Sequence, residues 1–526
     1  MANVDVLIKG GMVIDGRLGK MRRADVTING DKISFVGDAA GTTGTLEIDA
    51  AGKYVAPGFI DLTNHSDTHW RLFNDPGQES MLYQGITTVL GGNCGSSLAP
   101  LVRAADIEGI GKWINVSDIN INWQTMEEFI AELEHYRFGV NFATLVGHGT
   151  LRRGVMRDGA RVATDSEIEQ MKLLLDRSMK AGAWGFSISL GSAHGKAASE
   201  REILELIGVV AGYDGLVKHH LRDEGAKILS SVSELLGHSR KSGARICVSH
   251  FKAIGRRASE HAIEALSMIS QARGEGTKLG YDVFPYTSTG SNLFMLLPQW
   301  AIEGDKQTIL ANLRDKEKHN AIIASLKEST LHYDRIIIAT AIHDSFSVGK
   351  SIAEIAERAG KSPEEAMLDI LLINGLGVTI FNEVIDPKSL EYFVARDYAA
   401  IATDGVGYGE RRLLEKDLPH PRSFGSCPRV FREFVKEKAL LSWEEAVYKM
   451  TGLPAEVLGL KDRGIIEKGK MADLVVFDPE TITDVADYAD PHRFSVGMDW
   501  VLVGGVPAIR EGKTTGDLRG KVLKKQ

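Results

Sequence analysis

The hydrophobic and polar positions of this chain change their period twice. Residues 4–37 alternate in short runs, Val4 to Ile8, Met12 to Ile14, Val26 to Ile28 and Ile33 to Val36, separated by Gly10-Gly11 and Asn29-Gly30. Alternation broken by Gly-Gly and Asn-Gly is the signature of β-hairpins. The last ~70 residues read the same way, with Ala472 to Phe477, Val501 to Val503, Gly504-Gly505 and Val506 to Ile509. Neither end holds enough strands to cover its own edges, so a small β-sandwich built from both termini, 1–56 and 457–526, is the arrangement that protects both.

Between them, short apolar runs alternate with helical periodicity. Thr164 and Glu167 form a candidate capping box before Ile168, Met171 and Leu175, with the helix closing near Gly182. Ile228, Val232, Leu235 and Ser239 repeat the spacing up to Gly243, and Ala262, Ala265, Leu266 and Ile269 up to Gly274. Eight strand candidates punctuate these helices: Phe59 to Leu62, Thr87 to Leu90, Phe142 to Val146, Trp184 to Ser187, Leu216 to His219, Arg245 to Val248, Leu279 to Phe284 and Ala399 to Ala402. Eight buried strands alternating with helices predict an α/β protein with a (β/α)8 TIM-like barrel over 57–456. The stretch from about 287 to 389 is too long for one connection and reads as an inserted helical subdomain or lid, with its own apolar run Arg335 to Ala341.

Composition narrows the class without choosing a function. Of 526 residues, 43% are hydrophobic and 25% charged, close to soluble globular averages. The balance of 62 Lys and Arg against 70 Asp and Glu gives −8, with no basic run that could track phosphates, so a nucleic-acid partner is not expected. Three scattered cysteines, Cys94, Cys247 and Cys427, argue for a reducing compartment. Asp5 interrupts the first apolar run, and no window reaches the ~20 apolar residues of a bilayer span. A cytoplasmic protein with no membrane partner is the expectation. Asn115-Val116-Ser117 matches a glycosylation sequon, a chance match in such a chain.

The chemistry lies where strands end. Asn64-His65-Ser66-Asp67, Gly92-Asn93-Cys94-Gly95, His219-His220, Ser249-His250 and Thr403-Asp404 all follow strand candidates, at the carboxyl ends where barrel enzymes carry their active groups. Imidazoles, a thiol and carboxylates converging there suit a borderline-soft divalent ion, zinc above all. Bland roles suit most other histidines, among them His135, His238, His261, His319, His332 and His492. Cys247, inside an apolar strand, reads as core packing.

These residues sit in longer segments. Pro57-Gly58-Phe59-Ile60-Asp61, Gly92-Asn93-Cys94-Gly95-Ser96, His220-Leu221-Arg222-Asp223-Glu224, Ser249-His250-Phe251-Lys252, Thr403-Asp404-Gly405, His420-Pro421-Arg422 and Ala472-Asp473-Leu474-Val475-Val476-Phe477-Asp478 resemble the N-acyl-D-amino-acid deacylase branch of the amidohydrolase superfamily. The resemblance implies a barrel with a split β-sandwich and a tight zinc on Cys94, His220 and His250. It implies His65 as a further metal-site residue and Asp404 as catalytic acid/base, with Lys252, Tyr286 and Arg422 as candidates to hold a substrate carboxylate. The family's His-x-His after the first strand is Thr63-Asn64-His65 here. Threonine is no substitute for imidazole on zinc, so one tight zinc is expected and a second site is empty or altered. Gly191-Ser192-Ala193-His194-Gly195 and Phe284 stand where the family often offers tyrosines, implying a roomier, more apolar pocket.

The implied partner is a small N-acyl amino acid; a homo-oligomer stays open. Another amide, a cyclic imide or an ester is the alternative substrate, because fold does not fix substrate. A non-enzymatic assembly protein that kept the fold is the alternative from another class.

Overall fold

The computed structural model describes residues 3–110, 116, 119–157, 159–304, 306–329, 331–411 and 417–526; the sequon residues Asn115 and Ser117 lie outside this set. Eight parallel strands form a ring: β1 Phe59–Asp61, β2 Ile86–Gly91, β3 Asn141–Thr144 continued by Val146–Gly147, β4 Gly185–Ser189, β5 Leu216–His220, β6 Arg245–Val248, β7 Leu279–Val283 and β8 Ala399–Ile401. Each pairs in parallel with the next, as in Ile60 with Thr88, Val89 with Phe142, Phe186 with Val146, Ser187 with Lys218, Val217 with Ile246, Cys247 with Gly280 and Tyr281 with Ala399. The ring closes just beyond the ends of β8 and β1. There Asp404 N–H donates to the Thr63 carbonyl and His65 N–H to the Gly405 carbonyl, both at 2.9 Å, and Asn64 bridges Gly405 in parallel.

The strands are short and apolar because both faces are covered, the condition under which parallel strands lose their alternation. Ile60, Leu62, Leu90, Ala143, Leu145, Leu216, Cys247 and Ala400 fill the barrel interior with Leu453 and Leu458, which gives Cys247 a packing role. Outside, helices present one stripe each. Asp165–Lys180 starts at Thr164, whose hydroxyl accepts from Glu167 N–H while the Glu167 carboxylate accepts from Thr164 N–H, and it buries Ile168, Met171 and Leu175. Ile228–Ser242 stops at Gly243, which takes φ +62° to end the helix.

The two ends of the chain meet in one nine-stranded sheet. Tyr54–Pro57 pairs antiparallel with Leu474–Phe477, joining Asn3–Val13, Arg22–Asn29, Lys32–Gly37 and Thr43–Asp49 to Met498–Val503, Val506–Arg510 and Lys513–Thr514. Val6, Ile8, Val26, Ile28, Val55, Leu474, Val476 and Leu502 form its own core.

The stretch between β7 and β8 carries the helices Lys306–Arg314, Lys316–Glu328, Ile352–Ala359 and Pro363–Ile373. It also holds a three-stranded antiparallel sheet of Ser288–Asn292, Val378–Glu383 and Ile336–Ala341, of which the expected helical subdomain had included only the apolar run Arg335 to Ala341. A separate core of Ile309, Ile322, Ile338, Leu371 and Ile380 holds it together. Its first strand reaches the barrel mouth, where the Ser288 carbonyl lies 2.9 Å from His420 Nε2. Among the described residues, no helix is long and apolar enough to cross a membrane.

Candidate active site

The strand-end residues converge on one point at the mouth of the ring. Ligand atoms of Cys94, His220 and His250 lie within 4.8 Å of one another, with Cys94 Sγ 3.2 Å from His250 Nε2. The two imidazoles stand edge to face, 4.5 Å between centroids. Local sequence explains how the thiol arrives there. Gly92 turns the chain at φ +70°, where a Cβ would strike the Leu145 carbonyl at 2.2 Å, and Cys94 follows at φ +52°. His250 at +39° and Asp404 at +49° are also left-handed. Side chains other than glycine resist that region, and such backbone gathers where a side chain must be aimed against its local preference.

The electrostatics suit a cation. Burial alone would raise the Cys94 thiol, but the imidazoles of His250, His220 and His65 outweigh it and hold the group well below its ordinary value, as a thiolate. A soft thiolate with two imidazoles is a zinc donor set that leaves a fourth position open, so the residues fit the metal that the sequence implied.

Beside them lies an acid held by two bases. Asp404 Oδ1 is 3.1 Å from His65 Nε2, and Oδ2 is 2.6 Å from Arg422 Nη1. Burial works against charge on Asp404, yet Arg422, His250 and His65 keep it ionised far below the usual carboxylate range. Burial likewise works against charge on His65, but its bonds to Asp404 and Cys94 bring it up to about 10. His65 therefore faces the acid, outside the three-residue metal group. Arg422 also lies over the Phe284 ring, 4.9 Å from its centroid. Its Nε is enclosed and has no hydrogen-bond partner among the described residues.

Two expectations change. Lys252, expected to meet a substrate carboxylate, turns back behind the site, with Nζ 2.7 Å from Glu224 Oε1 and 2.8 Å from His250 Nδ1. The left-handed turn at His250 reverses the chain and carries Lys252 inward. Tyr286, 2% exposed, directs its hydroxyl to the Pro421 carbonyl at 3.3 Å and lies under Arg429. Both support the wall of the site and offer no free polar atom to its interior. Ser192 caps the short turn Ala193–Lys196 through Gly195 N–H.

Sequence reasoning gave no role to Glu224 or Asp282. Glu224 Oε1 lies 3.3 Å from His250 Nδ1, the position from which a carboxylate orients a metal-binding imidazole. Asp282 Oδ1 accepts the His250 main-chain N–H at 2.6 Å. The signal was present in both: Glu224 falls four residues after His220, and Asp282 is an acid inside the apolar run Leu279 to Phe284.

Known proteins resemble this chain in sequence and fold. The profile of the amidohydrolase family matches residues 46–274 and 340–509. D-aminoacylase of Alcaligenes xylosoxydans xylosoxydans is 31% identical over 524 residues, covering 99% of this chain and 97% of the relative. N-acyl-D-glutamate deacylase of the same organism is 33% identical over 502 residues, 95% of this chain and 93% of the relative. The crystal structure of N-acyl-D-glutamate deacylase from Bordetella bronchiseptica, complexed with zinc and a phosphonate inhibitor that mimics the tetrahedral intermediate, superposes with a TM-score of 0.82 at 30% identity, covering 99% of this chain and 100% of that one. The chain belongs to the amidohydrolase family and, within it, to the group of N-acyl-D-amino-acid deacylases.

Proposed function

We propose that this protein hydrolyses the linear amide of N-acyl-D-amino acids, releasing a carboxylate and a free D-amino acid. The observation that carries the reading is the convergence of Cys94, His220 and His250 on one point beside an ionised Asp404. Zinc bound there supplies an acidified water and a Lewis acid for the scissile carbonyl. Asp404 accepts the proton as water adds to the carbonyl carbon and returns it to the nitrogen as the C–N bond breaks. His65 and Arg422 hold the carboxylate in place through both steps. Glu224 and Asp282 fix the ring and the backbone of His250. The partly engaged guanidinium of Arg422 is the group that reads the substrate carboxylate. Phe284 supplies an apolar floor beneath it, which favours bulky hydrophobic side chains or acyl groups over acidic ones.

The test is amine release from N-acyl amino acids of both configurations and from the matching carboxamides. D-configured free acids should be preferred, and Arg422→Lys, which also loosens the hold on Asp404, should slow both substrates but cost the free acid about 1.5–3 kcal/mol more in kcat/KM than the carboxamide. Equal turnover of acid and carboxamide by the wild type would move the assignment to a neutral amide or an ester.

A further inference from the structure

Beneath the three candidate ligands lies a second cluster, Thr63, Lys218 and Asp282, all fully enclosed. Lys218 Nζ donates to Thr63 Oγ1 at 2.9 Å and forms an ion pair with Asp282 Oδ2. The Thr63 hydroxyl donates to the same carboxylate, 3.0 and 2.9 Å from its two oxygens. The cluster is joined to the site from three sides. Thr63 precedes His65 by two residues just beyond the end of β1, and Lys218 precedes His220 by two within β5, a spacing that puts the second pair on one face of that strand. Asp282 holds the His250 main-chain N–H.

Thr63 occupies the position of the first histidine in the family's His-x-His. A tightly held second metal there would draw on an imidazole from that position, and this chain offers only a hydroxyl. The hydroxyl of Thr63 is already committed, and the charge of Asp282 is matched by an ammonium. We infer that Lys218 is a built-in cation that stands in for a second metal ion and limits this site to one. A divalent ion placed beside a fixed buried ammonium would meet repulsion that the dry interior screens poorly. Recruiting Asp282 to such an ion would also break a buried pair, stranding the charge of Lys218. Lys218 is thus a positioning residue: its charge keeps Asp282 in the conformation that holds the backbone of His250. The inference rests on the deacylase reading for the location of the first ion.

Zinc content after incubation with excess zinc and gel filtration tests it without reference to turnover. The wild type and Thr63→His should each hold about one zinc per chain, and Thr63→His with Lys218→Met about two. Thr63→His alone holding two would overturn the inference, as would one zinc in a double variant with the wild-type circular dichroism spectrum. Lys218→Met alone gives an independent reading where the larger histidine disturbs folding. Cobalt titrated calorimetrically into the wild type should saturate at one equivalent, whereas Lys218→Met should bind a second at least ten-fold more tightly than the wild type does; indistinguishable titrations would overturn the inference. A wild type that keeps one zinc but releases no amine from N-acyl amino acids would defeat the deacylase reading and leave this inference standing, whereas a wild type without zinc would defeat both.

Discussion

Two clusters in this barrel are built from the same three side-chain types. At the mouth, His65 and Arg422 flank Asp404 at 3.1 and 2.6 Å. Beyond the end of β3, His148 Nε2 lies 2.7 Å from Glu202 Oε1, and Arg152 Nη1 donates to both Glu202 oxygens at 2.7 and 2.6 Å. Bond lengths do not distinguish them. Surroundings do: side-chain exposure is 10–17% in the first cluster and at most 1% in the second. Asp404 sits on left-handed backbone and its partner His65 touches the Cys94 thiolate. His148, Arg152 and Glu202 have right-handed or extended backbone and join the helices His148–Met156 and Glu200–Ala211. A carboxylate between a histidine and an arginine is therefore not evidence of catalysis by itself. Access, strained backbone and a neighbouring ligand set distinguish a site that acts from a site that holds helices together.

The largest effects should come from the residues that place a metal beside only one of the clusters. Cys94→Ala, His220→Ala and His250→Ala should each lose zinc and fall to background turnover together, measured by elemental analysis and amine release. Any of the three that kept full zinc and turnover would remove that residue from the ligand set and weaken the contrast.

The next comparison substitutes the two carboxylates in parallel. Asp404→Asn should keep zinc and fold while kcat falls ~10²–10⁴-fold, because a carboxamide cannot take the proton. Glu202→Gln should behave in the opposite way, with turnover near wild type and stability to urea reduced by ~3–5 kcal/mol, as expected when one partner leaves a buried ion pair. Near-normal turnover in Asp404→Asn together with a loss in Glu202→Gln would exchange the two assignments and make His148 the base.

How much of this contrast the sequence discloses depends on direction. The barrel strands were legible because parallel strands covered on both faces are unbroken apolar runs, and the strand-end residues followed from them. Lys252 and Tyr286 were expected to meet the substrate carboxylate, and the direction each takes depends on turns. His250 at φ +39° sends Lys252 inward toward Glu224, and no periodicity encodes a single left-handed residue. Lys218 was invisible for another reason. A lysine in the run Leu216 to His219 reads as an interruption until Asp282, 64 residues further on, is brought against it. The strand Val378–Glu383 escaped because its partners are Ser288–Asn292 and Ile336–Ala341, distant in sequence and linked by helices of stronger period.

The smallest effect concerns acid, and it applies to the closed cluster. Burial lowers His148 from its ordinary 6.5 more strongly than the bond to Glu202 raises it, so the folded protein holds the imidazole neutral. Burial of Glu202 favours its neutral form, but His148 and Arg152 outweigh this and bring it below its ordinary 4.5. Both shifts have the same sign for stability. A depressed group binds its proton more readily in the unfolded chain, so its contribution is full above the unfolded value and is lost as pH falls toward the folded one. For His148 the loss begins below 6.5, and for Glu202 below 4.5. Glu202→Gln abolishes the second loss and keeps the buried histidine. Urea midpoints measured from pH 7 to pH 4 should therefore start lower for Glu202→Gln than for the wild type, with the gap constant down to about pH 4.5 and beginning to narrow below it, while Asp404→Asn should keep a constant offset from the wild-type curve over this window. Parallel curves for Glu202→Gln and wild type would mean that the His148 cluster contributes packing and no charge, and the distinction between the two clusters would then rest on access, backbone and the neighbouring ligand set.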